Sequence, residues 1–262
     1  MDIQGKMENT KYNFQGMSVI VTGGGQGLGR AYAKAFAHNG AMVCVADLNL
    51  EKAKMVVEEI TELGGVAFWM EVDVSEPQST LEMAKATEQK YGRIDVLVNN
   101  AAIFSTLSMK PFFEISNEEW DAVIKVNLNG VFHCSSAVTP VMQQNRWGRI
   151  INISSAAVTM GRPNYTHYIA SKSALVGMTS SMARELGEFG INVNAIMPGA
   201  TFTEIERLTI TPQQKINIIK SQCIQRPASP DDLVGPVLFF SSIESKFITG
   251  QTLTVDGGAT HG

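Results

Sequence analysis

Short apolar runs rich in β-branched residues alternate with longer amphipathic stretches along almost the whole chain, and this alternation restricts the possible folds most. The seven runs are Met17–Thr22, Met42–Ala46, Val66–Met70, Asp95–Val98, Gly148–Ile153, Ile191–Met197 and Thr252–Val255. They are nearly continuous in apolar character, which is typical of strands buried on both faces of a parallel sheet. Regular alternation with helical stretches implies right-handed crossovers. The pattern predicts an α/β fold with a doubly wound parallel sheet and helices on both faces.

The helical stretches predict the domain organisation. They cover Gly27–Asn39, Leu50–Leu63, Pro77–Tyr91, Asn117–Asn145, Thr166–Phe189 and Pro230–Ser242. Nothing resembling a linker or repeat divides them, so we expect a single domain over residues 15–262, after a polar, flexible leader over residues 1–14. Residues 201–227 interrupt the alternation of strands and helices. They follow the end of a predicted strand, where open α/β sheets bind ligands. We interpret them as a substrate lid, with a plain surface excursion as the alternative.

Composition excludes several classes of partner. The 262 residues are 44% hydrophobic and 18% charged, with a net charge of −4. These values suit a soluble globular protein and argue against nucleic acid as the main partner. No apolar run is long enough to cross a membrane. The three cysteines are scattered and the four histidines lack ligand spacing, so we expect no metal site and a cytoplasmic location.

A glycine-rich turn after the first predicted strand indicates a dinucleotide site. Thr22–Gly29 has the spacing T-G-x-x-x-G-x-G, and a helix is predicted to follow. Glycines there let the backbone approach a pyrophosphate, which the N–H groups of the helix N-terminus can bind. Asp47, after the second predicted strand, can accept hydrogen bonds from the adenosine ribose and would repel a 2′-phosphate; its other possible role, capping the next helix, can fall to Asn49. Because Gln26 and Leu48 add no positive charge, NAD is predicted over NADP.

Tyr168 and Lys172 form a Tyr-x-x-x-Lys pair that begins thirteen residues after Ser155. Residues four apart share one helix face, so the ammonium can lie beside the phenol and lower its pKa, which is near 10 in free tyrosine. Such a phenol can take the hydroxyl proton when hydride leaves a carbinol carbon, and a serine can stabilise the charge on that oxygen. A lone Tyr-x-x-x-Lys also arises by chance, and Ser154 is a rival for the serine role.

Together these features resemble the short-chain dehydrogenase/reductase family, and the resemblance covers essentially Phe14 to Gly258. The motifs that carry it are Thr22–Gly29, Asp73-Val74, Asn99-Asn100-Ala101-Ala102, Asn127, Ser155, Tyr168 with Lys172, Pro198-Gly199, Ile248–Gln251 and Val255–Gly258. Ala102 departs from the glycine usual in the family. The resemblance implies a single-domain Rossmann fold with a seven-stranded parallel sheet, and a domain that both binds a dinucleotide and is catalytic.

The resemblance also implies roles for individual residues. Tyr168 exchanges the proton with the substrate oxygen, Lys172 lowers the phenol pKa and binds the nicotinamide ribose, and Ser155 bonds the substrate oxygen. Asn127 helps to hold a water that connects Lys172 to solvent; an ordinary buried amide is the alternative. Beyond Tyr168 and Lys172, the implied cofactor-binding residues are Gly23, Gln26, Gly27, Leu28, Asp47, Asp73, Val74, Asn99, Ala101, Pro198, Gly199 and Thr203.

The predicted substrate pocket is mostly apolar, although several of its residues could be simple core. The candidates are Ile103, Phe104, Ala156, Val158, Met160, Tyr165, Phe202, Ile205 and Leu208. Such a pocket suits a hydrophobic secondary alcohol or its ketone, and Trp147–Ile150 and Tyr165–Tyr168 resemble stretches of NAD-dependent secondary alcohol dehydrogenases. The alternatives are a 3-oxoacyl-thioester reductase, against which Asp47 weighs, and a non-catalytic NAD-sensing protein. The family resemblance implies a homotetramer.

Overall fold

A seven-stranded parallel sheet forms the centre of the computed structural model, which describes residues 12–205 and 211–261. The strands are β1 Ser18–Thr22, β2 Met42–Asp47, β3 Val66–Glu71, β4 Val96–Asn99, β5 Gly148–Ile153, β6 Ile191–Pro198 and β7 Thr252–Val255. The helices are α1 Gly27–His38, α2 Leu50–Glu62, α3 Pro77–Tyr91, α4 Asn117–Ile124, α5 Gly130–Asn145, α6 Ala157–Met160, α7 Thr166–Leu186, α8 Pro212–Ser221 and α9 Asp231–Ser241. Every predicted strand is present, with each end within one residue of its predicted position.

The strand order is β3-β2-β1-β4-β5-β6-β7. The chain runs outward from β1 to β3 and then returns to add β4 on the other side of β1. The connections therefore diverge between the carboxyl ends of β1 and β4 and leave a crevice there. Central strands are buried throughout, whereas the edge strands β3 and β7 are partly exposed because each has only one neighbour. The predicted doubly wound α/β fold is confirmed.

The sheet separates two apolar cores, because side chains of a strand alternate between its faces. In β1, Val19 and Val21 pack into one core, which α1, α2 and α9 cover; Ile20 packs into the other, which α3, α5 and α7 cover. A smaller cluster around Leu107 and Val123 includes Tyr168 and lies beside the crevice. The helices on both faces thus hold the strand ends in place and leave the crevice to the loops.

The packed structure begins before the predicted domain start. Phe14, which the sequence analysis assigned to the flexible leader, is fully buried and packs edge-on against Phe36, with ring centroids 5.0 Å apart. An aromatic ring buries a large apolar area, so this residue belongs to the fold and the leader boundary at residue 14 is wrong. The rest of the leader prediction, over residues 1–11, lies outside the described residues.

Two predicted segments have more internal structure than expected. The stretch Asn117–Asn145 is α4, a π-helical turn over Lys125–Asn129, and α5. The lid segment contains α8, which starts with a capping box in which Thr211 and Gln214 bond each other's backbone N–H groups. Residues 206–210, including the pocket candidate Leu208, lie outside the described part of the chain. Among the described helices, none combines the length and apolar character needed to cross a lipid bilayer.

Candidate active site

The glycine turn after β1 brings the backbone into the crevice. Gly23 has a φ of +61°, and a Cβ added there would lie 2.9 Å from the Ala101 Cα. A Cβ on Gly29 would lie 2.0 Å from the Gly23 carbonyl oxygen. Only glycine fits either position, because the first needs a left-handed backbone and the second allows α1 to pack against the turn. The turn therefore packs closely on the segment after β4 and on α1, and Gly23 lines the crevice without a side chain.

Helix α1 begins at this turn and directs its free N–H groups toward the crevice. Its N-cap residue, Gln26, makes no side-chain capping bond. Instead, the Gly27 N–H donates to the Glu204 carboxylate at 2.8 Å, although Glu204 is 177 residues away in the segment after β6. A helix N-terminus attracts anions, so the carboxylate lies where a phosphate group is expected. The sequence analysis did not identify Glu204.

The end of β2 has a carboxylate and an ammonium group. Asp47 accepts hydrogen bonds at 2.8 Å from the backbone N–H groups of Gly25 and Asn49. Asn49 caps α2, as the sequence suggested. Lys52, one turn into α2, lines the same cavity and donates to the Gln26 side chain. A positive charge therefore lies near Asp47, which the sequence analysis had missed.

Arg30, the other cation near the turn, is already paired. Its guanidinium donates to both carboxylate oxygens of Glu59, with the closest contacts at 2.8 Å, and Lys34 bonds the same carboxylate at 2.7 Å. The Glu59 contacts raise the pKa of Arg30. Glu59 therefore holds the Arg30 guanidinium within the fold.

Asn100, and not Asn99, lines the groove at the end of β4, which corrects the prediction for Asn99. Asn99 is buried behind the groove, where its amide donates to Asn152 at 2.9 Å and to Ser135 at 3.1 Å. The Asn100 amide instead donates to the carbonyls of Thr22 and Gly23, at 3.0 and 3.1 Å. Asn99 is the last residue of β4 and Asn100 is the first residue after it, and the two side chains have different surroundings. Asn100 thereby ties β4 to the glycine turn.

Helix α7 presents Tyr168 and Lys172 on one buried face. Positions 168, 171, 172 and 175 are buried, at the i, i+3, i+4, i+7 spacing of a single helix face. The Lys172 ammonium lies 5.9 Å from the centroid of the Tyr168 ring and donates to the Ile153 carbonyl at 2.7 Å. Burial lowers the pKa of Lys172 to about 8, because removal from water disfavours the charged form. The Lys172 ammonium therefore lies beside the Tyr168 ring, and its effect on the phenol stays a prediction.

Ser155 and Ser154 differ in how their hydroxyls are used. Ser154 is buried and donates to the Lys172 carbonyl at 2.8 Å, so its proton is already used inside the fold. Ser155 lines the cavity, and its oxygen accepts from the Ala157 N–H at 3.2 Å. Since that oxygen is the acceptor, the Ser155 proton can be donated to a ligand. The geometry favours Ser155 over its rival.

Asn127 lies in the π-helical turn, a feature that is frequent at functional sites. It is fully buried; its carbonyl oxygen accepts from the Ile103 N–H at 2.8 Å, and its amide donates to the Ile103 carbonyl and to Ser171 at 3.1 and 3.2 Å. These bonds connect the loop after β4 to α7 beside Tyr168. A role in holding a water near Lys172 stays a prediction.

A single cavity of about 1000 Å³ joins these features. Its lining includes Gly23, Gln26, Leu28, Asp47, Asp73, Val74, Ala101, Ser155, Tyr168, Lys172, Pro198, Gly199 and Thr203, all of them predicted site residues. Gly27, Asn99 and Asn127 do not line it. The volume is at the upper end of the usual range for ligand sites, roughly 300–1,000 Å³, and the cavity runs from the Asp47 carboxylate to the Tyr168 phenol.

The predicted pocket residues divide into two groups. Ile103, Phe104, Ala156, Met160 and Ile205 line the cavity, as does Ala102, the departure from the family pattern. Val158, Tyr165 and Phe202 do not; Tyr165 is buried in the small core, where its ring packs on Phe104 with centroids 5.8 Å apart. Tyr165 has apolar surroundings because it packs inside this small core, behind the cavity lining, and not because it contacts a ligand.

The described residues contain no group of three or more His, Cys, Asp or Glu side chains that could hold a metal ion. The cavity fits a dinucleotide instead. Gly23 lines the cavity without a side chain, α1 begins without a side-chain cap, and a carboxylate stands at the end of β2.

Comparison with known proteins places the chain among nicotinamide-dependent oxidoreductases. Residues 23–260 match a family model described as enoyl-(acyl carrier protein) reductase. The chain is 37% identical to the 3-oxoacyl-[acyl-carrier-protein] reductase FabG of Staphylococcus epidermidis, over 92% of this chain and 98% of that protein. FabG of Thermotoga maritima is also 37% identical, over 93% and 98% of the two chains.

Solved structures give the same result. A 7α-hydroxysteroid dehydrogenase complexed with NADH and 7-oxoglycochenodeoxycholic acid superimposes with a TM-score of 0.90 at 36% identity, covering 95% of this chain and 96% of that one. A Sinorhizobium meliloti 1021 protein described as a short-chain alcohol dehydrogenase has a TM-score of 0.90 at 29% identity, covering 95% and 98%.

Proposed function

Because this chain belongs to the short-chain dehydrogenase/reductase family, whose members are oxidoreductases acting on CH–OH groups, we propose that it transfers hydride between NAD(H) and a hydrophobic secondary alcohol or its ketone. One observation carries the proposal. Ser155, Tyr168 and Lys172 line the same cavity as the glycine turn and Asp47. The groups that would manage a proton and those that would hold a dinucleotide therefore share one continuous space.

Each catalytic side chain has a definite task in this proposal. When bound, the nicotinamide ring supplies or accepts the hydride. Tyr168 takes the hydroxyl proton during oxidation and returns it during reduction. The Lys172 ammonium favours the phenolate through its positive charge. Ser155 donates its proton to the substrate oxygen and so stabilises the charge that develops there.

The choice of NAD rests on the end of β2. The Asp47 carboxylate is held by two backbone N–H groups, so it stays where a ribose hydroxyl can donate to it and where a 2′-phosphate would be repelled. Lys52 acts in the opposite sense, since its ammonium would attract a phosphate. Its bond to Gln26 directs it toward the glycine turn. We propose that the fixed carboxylate dominates and that NAD is preferred.

A second activity has support from the comparisons. The FabG relatives favour reduction of a 3-oxoacyl thioester, a reaction that uses the same proton donor and the same kind of CH–OH product. The two proposals differ in substrate and not in catalytic residues. The hydroxysteroid dehydrogenase, with a similar fold and similar identity, favours the first.

A spectrophotometric screen tests both activities. Secondary alcohols, their ketones and 3-oxoacyl thioesters are each incubated with NAD(H) and NADP(H), and NADH or NADPH absorbance is followed. We expect turnover of apolar alcohols with NAD. Turnover of thioesters alone would favour the second activity, and absence of any turnover with a correctly folded protein would refute both.

We also propose a cytoplasmic homotetramer. Large apolar side chains lie exposed beside and on the α4–α5 region, namely Phe112, Phe113, Trp120 and Phe132. Exposed apolar clusters of this kind mark protein interfaces. Light scattering that gives the mass of one chain would refute the tetramer.

A further inference from the structure

The substrate end of the cavity has two different walls. One is apolar and includes Phe104, Met109 and Met160. The other is a face of α8, where Gln214, Asn217, Ile218 and Ser221 line the cavity at the i, i+3, i+4, i+7 spacing of a single helix face. This second wall is mainly polar, which a purely hydrophobic substrate does not need.

The amides of this polar wall have donor groups left for a ligand. The Gln214 carbonyl oxygen accepts from the Thr211 N–H at 2.9 Å, and the Asn217 carbonyl oxygen accepts from Gln213 at 3.1 Å. Their NH₂ groups remain as donors. A ligand group rich in acceptor oxygens would therefore match this wall.

Arg162 is the charged side chain at this end of the cavity. It is half-buried and lines the cavity near Met160, and within the described part of the chain its guanidinium pairs with no carboxylate. The other charged groups of the lining have partners in the fold. Asp256, for example, accepts four hydrogen bonds from residues 258–260. Arg162 thus differs from these groups, because no carboxylate among the described residues pairs with its charge.

A chain of aromatic contacts connects Arg162 to the catalytic phenol. Its guanidinium lies 5.0 Å from the Tyr165 ring, that ring lies 5.8 Å from Phe104, and Phe104 lies 4.5 Å from Tyr168. The cation and the phenol therefore belong to one wall, with two rings between them. A cation–π contact does not use the N–H donors of a guanidinium, and the planar fork of these donors matches a planar oxyanion.

Building on the function proposed above, we propose that the substrate carries an anionic group remote from its reacting carbon and that Arg162 binds this group. The reacting carbon lies at Tyr168, the apolar body lies against Phe104 and Met160, and the anion pairs with the guanidinium and the α8 amides. Because the site excludes part of the solvent, a charge-assisted bidentate contact there is strong. The anion is either a carboxylate of the substrate or the phosphate of a pantetheine arm.

Matched substrate pairs test this assignment. The first arm compares straight-chain methyl-ketone carboxylic acids with their methyl esters; the second compares 3-oxobutanoyl phosphopantetheine with its dephosphorylated form. For the pair that contains the true anion, we expect Arg162→Gln to lower kcat/KM of the anionic member by about 10- to 100-fold, as for a lost hydrogen bond to a charged group. The neutral member should change less than threefold, and Arg162→Lys should retain part of the preference.

The outcomes separate this inference from the function on which it rests. Equal losses of kcat/KM for both members of a pair would give Arg162 a packing role only and overturn the inference. A preference for the anionic member that is unchanged in Arg162→Gln would also overturn it. If wild type reduces no ketone, the proposed function fails, and thermal shift of the NADH-loaded protein then tests the site alone. Stabilisation by the anionic compound but not by its neutral partner, and loss of this stabilisation in Arg162→Gln, would still support the inference. Absence of this stabilisation in wild type would refute the inference.

Discussion

Lys172 is expected to destabilise the cofactor-free fold at neutral pH, and this cost can be measured. Burial lowers the pKa of its ammonium from 10.5 to about 8. At pH 7 the lysine is protonated in both the folded and the unfolded chain, so the full difference counts against folding. It corresponds to about 3 kcal/mol, since each tenfold change in an ionisation constant is about 1.4 kcal/mol.

Lys172→Met removes the charge and keeps a side chain of similar length. The Ile153 carbonyl, which accepts from the ammonium at 2.7 Å, then loses its donor. That loss costs about 1 kcal/mol or somewhat more. At pH 7 we therefore expect the variant to be more stable than wild type by about 2 kcal/mol, although catalysis should be lost.

The pH dependence gives the sharper test. As pH rises above 8, the folded lysine loses its proton before the unfolded one does, so the unfolded state binds more protons and wild-type stability increases. The advantage of Lys172→Met should therefore shrink between pH 7 and pH 10, by about 2–3 kcal/mol. Near pH 10 the two proteins should be about equally stable.

The assay is urea unfolding of cofactor-free protein at pH 7 and pH 10, at one ionic strength and one protein concentration. Lys85, an exposed lysine on α3, provides the matched control as Lys85→Met. A Lys172→Met variant that is less stable than wild type at pH 7 would refute the reasoning. So would an advantage that does not change with pH, because the burial of charge would then not be its source.

Three further results are expected. Tyr168→Phe should lower turnover by about 10²–10⁴-fold while the Kd for NADH changes little; near-normal turnover would remove Tyr168 from the mechanism. Glu204→Gln should tighten NADH binding by about 3- to 10-fold in calorimetric titration, because its carboxylate occupies the Gly27 N–H where a phosphate binds; weaker binding would contradict this. Asp47→Ser should raise kcat/KM with NADP relative to NAD by about tenfold or more, since Lys52 remains; an unchanged ratio would show that Asp47 does not select the cofactor.

Local patterns predicted the elements of the fold well, because they depend on neighbours in sequence. Burial on both faces makes the central strands largely apolar, so β5 was predicted with correct ends at Gly148 and Ile153. The turn at Thr22–Gly29 and the Tyr168–Lys172 pair were recognisable because each needs particular residue types at fixed spacing. Phe14 was missed as core because two aromatic residues in a short polar stretch are too few to show a periodicity.

Residues that act through distant contacts could not be predicted in the same way. Nothing near Glu204 indicates that it bonds Gly27. Asn99 and Asn100 are identical in type, and only the packing around the end of β4 decides which one lines the groove. Lys52 belongs to the periodic pattern of α2, and its contact with Gln26 depends on how that helix packs beside the turn.

The sequence by itself therefore determined the strand–helix alternation, the glycine turn and the spacing of the catalytic pair, since backbone geometry and helical periodicity act over a few residues. The tertiary structure alone decided that the Tyr168 phenol and the Asp47 carboxylate share one cavity, that Arg162 adds a charge to its lining, and that Glu204 bonds the Gly27 N–H. The physical reason is that electrostatics and burial depend on distance in space. Only the packing of the helices on the sheet sets those distances.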